Sequence, residues 1–293
     1  VACLFYAARL VSELGGLARL VSTAQEAAIS GQRLFELFDS AHVVAEPRAP
    51  RALPPGRGAL RFEAVSFGYP EAPELLSGLS FSVAAGERVA IVGATGSGKS
   101  TLAALLLRFF DPAGGRILLD GADLAELPVA ELRSAVACVF QESFLFSGSL
   151  RRNIAYARPA ASEAEVLAAA EAAQLGPFLA ALPQGLDTMV GERGVTLSGG
   201  QRPRAALARA VLAGPRLLIL DDATASVDAG TERELVRALA AAARQRTTLV
   251  ITQRLSGVLL ADRVIVLGSG RVLDNGRHDE LLERCGAYRA LFL

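Results

Sequence analysis

Val89-Ala90-Ile91-Val92-Gly93-Ala94-Thr95-Gly96-Ser97-Gly98-Lys99-Ser100 is the stretch on which the fold turns. Its first five residues read as a buried strand, and the pattern after Gly98 predicts a helix over 98–110. Between them, Gly93 to Ser100 fits G-x-x-x-x-G-K-[ST], a loop whose backbone N–H groups curl toward phosphate oxygens. The helix N-terminus behind it adds the positive end of its dipole. Lys99 supplies a compact, mobile charge for β- and γ-phosphates, and Ser100 is placed to ligate Mg²⁺. The competing reading, a glycine-rich turn without a ligand, leaves the strand–loop–helix context unexplained. Lys99 is also the only lysine among 30 basic residues. A planar arginine fork does not fit a point-charge role inside such a loop, which accounts for the one exception.

Outward from this loop, short apolar runs alternate with helical stretches. Residues 60–69 (LRFEAVSFGY) open a domain, and 135–140, 217–220, 247–252 and 263–267 read as further strands. Strands alternating with helices argue for an α/β domain with a mainly parallel sheet. The stretch between Phe140 and Leu217 is rich in Ala, Leu and Glu, reads as strand-free, and predicts an inserted helical subdomain. RVLDNGRHDELLERC (271–285) reads as a hairpin strand followed by a short helix.

Residues 1 to about 40 contain no proline and predict one long helix. Its first 20 or so are mostly apolar, a length near that needed to cross a bilayer, with Arg9 and Glu13 at i, i+4. An amphipathic helix packed on a soluble domain fits the same hydropathy. From Gln25 to Phe38 the pattern is amphipathic, with Ile29, Leu34, Phe35, Leu37 and Phe38 as the apolar set. EPRAPRALPPGRG (46–58) cannot sustain a helix and reads as a linker. The chain begins at Val1 inside an apolar run, which suggests a piece of a longer polypeptide.

Composition narrows the function. The 293 residues carry 30 basic and 30 acidic side chains, so no net field favours nucleic acid or anionic lipid. Cys3, Cys138 and Cys285 are far apart and match no metal-ligand spacing. His42 and His278 match no site motif and read as surface or packing residues.

Further along, Leu197-Ser198-Gly199-Gly200-Gln201 precedes an Ala- and Arg-rich helix. Leu217-Leu218-Ile219-Leu220-Asp221-Asp222 and Ala223-Thr224-Ala225-Ser226-Val227-Asp228 follow. This order resembles the nucleotide-binding domain of the ABC transporter family from about residue 60 to 290, and LSGGQ is close to diagnostic. The resemblance implies a P-loop NTPase core with an antiparallel β subdomain and a helical subdomain over about 142–213, all within 59–293. It implies ATP and Mg²⁺ as ligands, with Gly93, Thr95, Gly96, Ser97, Gly98, Lys99, Ser100 and Thr101 around the phosphates. Tyr69 resembles the aromatic that stacks on adenine, and Gln141 the glutamine that senses Mg²⁺ and the attacking water. Asp221 looks like the aspartate on Mg²⁺, and Asp228 like one that faces a partner subunit. Ser198, Gly199, Gly200 and Gln201 would cover the ATP bound on a second, head-to-tail half-transporter.

Exporter-like segments extend the resemblance. Phe144-Leu145-Phe146-Ser147-Gly148-Ser149 and Gly191-Glu192-Arg193-Gly194 look like those that meet a membrane domain. Residues 1–41 resemble the end of a last transmembrane helix and its cytoplasmic extension, and 42–58 a linker. That places the chain at the inner or plasma membrane, with its nucleotide-binding domain on the cytoplasmic face.

Two positions depart from the family pattern. The residue after Asp221 is normally glutamate, which polarises the attacking water; here it is Asp222, one methylene shorter. A base must lie within about 2.6–3.2 Å of the proton it takes, and a misplacement of about 1 Å costs on the order of 100-fold. Where the family has histidine before Arg-Leu, this sequence has Gln253, which can hydrogen-bond a phosphate but carries no charge. Together they imply a slow, degenerate site in a heterodimeric exporter, with a non-identical partner supplying the glutamate and histidine. A homodimeric exporter with two slow sites and a soluble ABC ATPase are the alternatives. Pro203 falls in the first turn of the helix after LSGGQ, where a missing N–H is tolerated.

Overall fold

The computed structural model describes residues 2–39, 44–191, 197–224, 229–243 and 246–292. They form two compact units, 1–45 and 46–293. The first is a single helix, α1 (Ala2–Phe38). Among the described residues, no helix is long and apolar enough to cross a membrane. Arg9, Glu13 and Arg19 interrupt the apolar run of the first 20 residues.

The second unit begins with two antiparallel strands, β1 (Leu60–Tyr69) and β2 (Ala72–Val83). Then come β3 (Arg88–Gly93), α2 (Lys99–Leu106), β4 (Gly114–Leu119), β5 (Ala122–Asp123), α3 (Val129–Ala135) and β6 (Val136–Val139). The inserted region holds β7 (Gly148–Ser149), α4 (Leu150–Ile154), α5 (Glu163–Ala172), α6 (Gly176–Ala181), β8 (Met189–Val190) and α7 (Gln201–Ala213). The chain closes with β9 (Leu217–Asp221), α8 (Ala229–Ala243), β10 (Thr247–Ile251), α9 (Leu255–Val258), β11 (Arg263–Gly268), β12 (Arg271–Gly276), α10 (His278–Arg284) and α11 (Gly286–Phe292).

The central sheet has the order β12-β11-β3-β10-β9-β6, parallel except for the edge strand β12. A second, antiparallel sheet has the order β2-β1-β4-β5. Every residue of β9 and β10 is buried, as a parallel strand covered on both faces requires. Alternation along the strands divides the core in two. Ala90, Val92, Leu218, Leu220 and Val250 pack with the helical subdomain. Val89, Ile91, Leu217, Ile219, Leu249 and Ile251 pack with α2 and the antiparallel sheet. The fold is thus the expected α/β nucleotide-binding core with its two subdomains.

Two local expectations need correction. The inserted region is not strand-free, because Gly148 and Ser149 pair with Val190 and Met189. Two residues are too short to leave a period in the sequence. The helix after Lys99 also stops at Leu106, where the chain enters a turn with Arg108 at φ 51°.

The proline-rich stretch 46–58 has no helix or strand, yet it is fastened down along its length. Leu53 is buried, and its N–H donates to Glu131 Oε1 at 3.0 Å. Arg216 Nη1 donates to the Pro54 carbonyl, and Thr247 Oγ1 to that of Arg57. Asp120 Oδ1 accepts from the N–H groups of Gly58 and Ala59, both at 2.9 Å.

Candidate functional site

The chemistry-bearing residues leave the C-terminal ends of adjacent parallel strands, where open α/β sheets bind ligands. The phosphate loop follows β3, Gln141 follows β6, Asp221 ends β9, and Gln253 lies two residues past β10. A cleft of about 410 Å³ is lined by Thr95, Gly96, Gly98, Lys99, Ser100, Thr101, Gln141, Asp222 and Gln253, with Leu75 at its edge.

Gly96 and Gly98 sit at φ 80° and 91°, which turns successive N–H groups inward and which side chains resist. Lys99 is buried, and its Nζ donates to the carbonyls of Gly93 at 2.7 Å and Ala94 at 2.9 Å. Burial lowers the affinity of Lys99 for its proton, and the carboxylates of Asp222 and Asp221 oppose that effect. The ammonium is therefore held on loop carbonyls at the cleft wall, ready to exchange them for phosphate oxygens. Ser97 lies beside it, with its hydroxyl 3.5 Å from Nζ.

Ser100 Oγ donates to Asp221 Oδ1 at 3.3 Å. Asp221 is buried, which raises its pKa, while the Ser100 hydrogen bond and Lys99 act to lower it. A buried carboxylate beside a hydroxyl is a hard-oxygen pair suited to a divalent cation.

Asp222 adopts φ 44°, a left-handed conformation rare outside glycine. Its N–H donates to the Ile251 carbonyl at 2.8 Å, and its Oδ1 accepts from the Gln253 N–H at 3.3 Å. Nothing in the sequence motif signalled this backbone geometry. The Gln253 side chain crosses the cleft, and its Nε2 donates to Thr95 Oγ1 at 3.3 Å.

Tyr69 does not itself line the cleft but borders Thr101, which does. Its ring meets Phe67 and Phe110 edge to face, with centroids 4.9 and 5.3 Å away, and its hydroxyl lies 3.5 Å from Thr101 Oγ1. The signature residues also lie elsewhere. The Ser198 N–H donates to Gln201 Oε1 at 2.9 Å, closing the turn that starts α7. Ser198 and Gly199 are exposed and Gly200 is buried. Gly199, Arg202 and Pro203 line a second cleft of about 570 Å³, shared with Gln141, Glu142 and Phe144. Gln141 thus belongs to both. Pro203 is the third residue of α7, as its tolerance there requires.

Asp228, Glu192, Arg193, Gly194 and His42 lie outside the described residues. His278 Nδ1 is 2.6 Å from the buried Tyr288 hydroxyl, a packing role. All three cysteines are free, and burial pushes the Cys138 thiol up, away from reactivity. Phe144, Phe146 and Tyr156 form an exposed aromatic surface braced from α7 by Arg209, whose guanidinium bonds the Phe144 carbonyl and Asn153.

A family model described as ABC transporter matches residues 76–225. The chain is 45% identical over 288 residues to an ATM1-type heavy metal exporter of Novosphingobium aromaticivorans, covering 98% of this chain and 47% of the relative. It is 47% identical over 290 residues to a multidrug efflux ATP-binding/permease protein of Mycobacterium tuberculosis, covering 99% and 24%. With an ATP-dependent lipid A-core flippase of Chromobacterium violaceum it shares 48% over 241 residues, covering 82% and 41%. The chain spans less than half the length of each of these relatives. Among solved structures, a bacterial Atm1-family ABC exporter with ATP bound superimposes with a TM-score of 0.82 at 47% identity, covering 91% of this chain and 47% of that one.

Proposed function

The chain belongs to the ABC transporter family, and on that premise we propose that it is the ATP-binding part of an exporter in which ATP hydrolysis drives a substrate across a membrane. The observation that carries this reading is the convergence of Lys99, Ser100, Gln141, Asp222 and Gln253 on one cleft at the strand ends. Loop N–H groups from Gly93 to Gly98, with Ser97 and Thr101 beside them, bind and orient the phosphates, and Lys99 neutralises them. Ser100, Asp221 and Gln141 would hold Mg²⁺, which when bound offsets phosphate charge. Tyr69 would receive the adenine beside Thr101.

The site built on this chain is proposed to be slow. The Asp222 carboxylate is one methylene short and already accepts from the Gln253 N–H. Gln253 contacts Thr95 through a neutral amide. Neither group supplies the reach of a glutamate or the charge of a histidine. A non-identical half-transporter would supply both at a second, faster site, covered by this chain's Ser198, Gly199, Gly200 and Gln201. The separation of those residues from the Lys99 cleft supports a role on the partner's nucleotide, and Asp228 would face that partner. Residues 1–41 would form the extension leading from a membrane domain, with 59–293 on the cytoplasmic face.

The test is steady-state ATP hydrolysis by the assembled transporter. Asp222→Ala should leave turnover within about twofold of wild type, while removing the partner's glutamate should abolish it. If Asp222→Ala is as damaging as the partner's change, the two-site asymmetry is wrong.

A further inference from the structure

We propose that Glu232 is a positioning residue that fixes Gln253 in the nucleotide cleft and ties its placement to α8. The inference rests on reading Gln253 as the group that meets the terminal phosphate. Gln253 is exposed, and its hydrogen bonds with Thr95 and Asp222 are both 3.3 Å long. On their own they are weak anchors for a residue whose position must be held to a fraction of an ångström.

The anchoring comes from its neighbours. Ser256 Oγ donates to Glu232 Oε1 at 2.6 Å, and Arg254 Nη1 lies 3.2 Å from Glu232 Oε2. One carboxylate therefore holds two side chains of the segment that directly follows Gln253, each on a separate oxygen. The Glu232 side chain is 20% exposed, so these charge-assisted bonds are stronger than a surface ion pair. On the other side of Gln253, Thr252 is buried. Its N–H donates to the Ile91 carbonyl at 3.1 Å, and its Oγ1 accepts from the Arg254 N–H at 3.0 Å. Gly257 completes the turn by packing so tightly on Thr252 that a Cβ there would lie 2.8 Å from Thr252 Oγ1. Gln253 is thus strung between a fixed Thr252 and an Arg254–Ser256 segment pinned to α8.

A purely structural reading exists, because Glu232 is also the acidic residue in the first turn of α8, where it suits the helix dipole. That role predicts a loss of stability and no dependence on Gln253. The positioning role predicts that the effects of Glu232 and Gln253 are not independent.

The experiment is a double-mutant cycle on the assembled transporter, reading the ATP turnover rate, KM for ATP and the release rate of labelled Mg²⁺-ATP. Glu232→Ala and Gln253→Ala should each speed the release of labelled Mg²⁺-ATP by about tenfold, and the double variant should change it no more than either alone. Glu232→Gln, which keeps an acceptor for Ser256, should recover part of the effect. Multiplying effects, or wild-type behaviour of Glu232→Ala, would overturn the proposal. Rapid release of both nucleotides from wild type would sink the slow-site reading alone, since non-additivity in the release rate would still be measured. A wild type without turnover would overturn the functional reading and this inference with it.

Discussion

The side-chain amide of Gln253 donates to the hydroxyl of Thr95, 158 residues away in sequence, across the mouth of the nucleotide cleft. The Gln253 backbone N–H meets the Asp222 carboxylate at the same point. The loop after β3, the end of β9 and the end of β10 are therefore closed on one another by neutral or shared hydrogen bonds.

Restoring reach and charge should restore turnover. Asp222→Glu combined with Gln253→His is expected to raise hydrolysis at this chain's site by about tenfold or more. The measurement uses a transporter whose partner lacks its own glutamate, so that only this site reports. No gain in that background would show that the two departures do not set the rate.

Lys99 should be irreplaceable even by arginine. Its ammonium donates to two carbonyls at 2.7 and 2.9 Å in a buried position, a point-charge geometry that a planar guanidinium does not reproduce. Both Lys99→Arg and Lys99→Ala are expected to weaken ATP binding by about 100-fold, read by titration calorimetry.

Asp120 should be the costliest surface-proximal residue for stability. Its side chain is 5% exposed and accepts from Gly58, Ala59 and Arg216 together. Asp120→Ala leaves those donors without their acceptor at a backbone position with φ 50°. A loss of about 3 kcal/mol is expected in denaturant unfolding, with ATP affinity little changed.

Glu165 gives a pH-dependent prediction. Its carboxylate accepts from the backbone and hydroxyl of Ser162 and pairs with Arg158, which holds its pKa down to about 2 against an ordinary 4.5. A carboxyl lowered by folding stabilises the protein fully above its unfolded value, and that contribution is lost as pH falls through the folded one. Thermal unfolding of wild type and Glu165→Gln should therefore differ most at pH 6 to 7. The difference should shrink progressively between about pH 4.5 and pH 2.

Much of the nucleotide site is local in sequence. The strand Arg88–Gly93, the glycine loop and Lys99 are contiguous, so hydrophobic run, turn chemistry and charge are legible together. The buried runs at Leu217–Asp221 and Thr247–Ile251 were legible for the same reason: a parallel strand covered on both faces leaves an uninterrupted apolar stretch. Asp222 and Gln253 stood out as departures, but only as residue types. The long helix α1 was readable from its proline-free run.

What the sequence determined by itself was therefore the parallel α/β core, the phosphate loop and the order of the residues around it. Tertiary structure alone decided that Gln253 reaches Thr95, that Ser100 meets Asp221, that Glu232 grips Arg254 and Ser256, and that the proline-rich stretch 46–58 is fastened to Asp120 and Arg216. Each of these contacts joins residues more than 20 positions apart. No periodicity or propensity records such a pairing, because it exists only once elements distant in sequence have packed together in the folded chain.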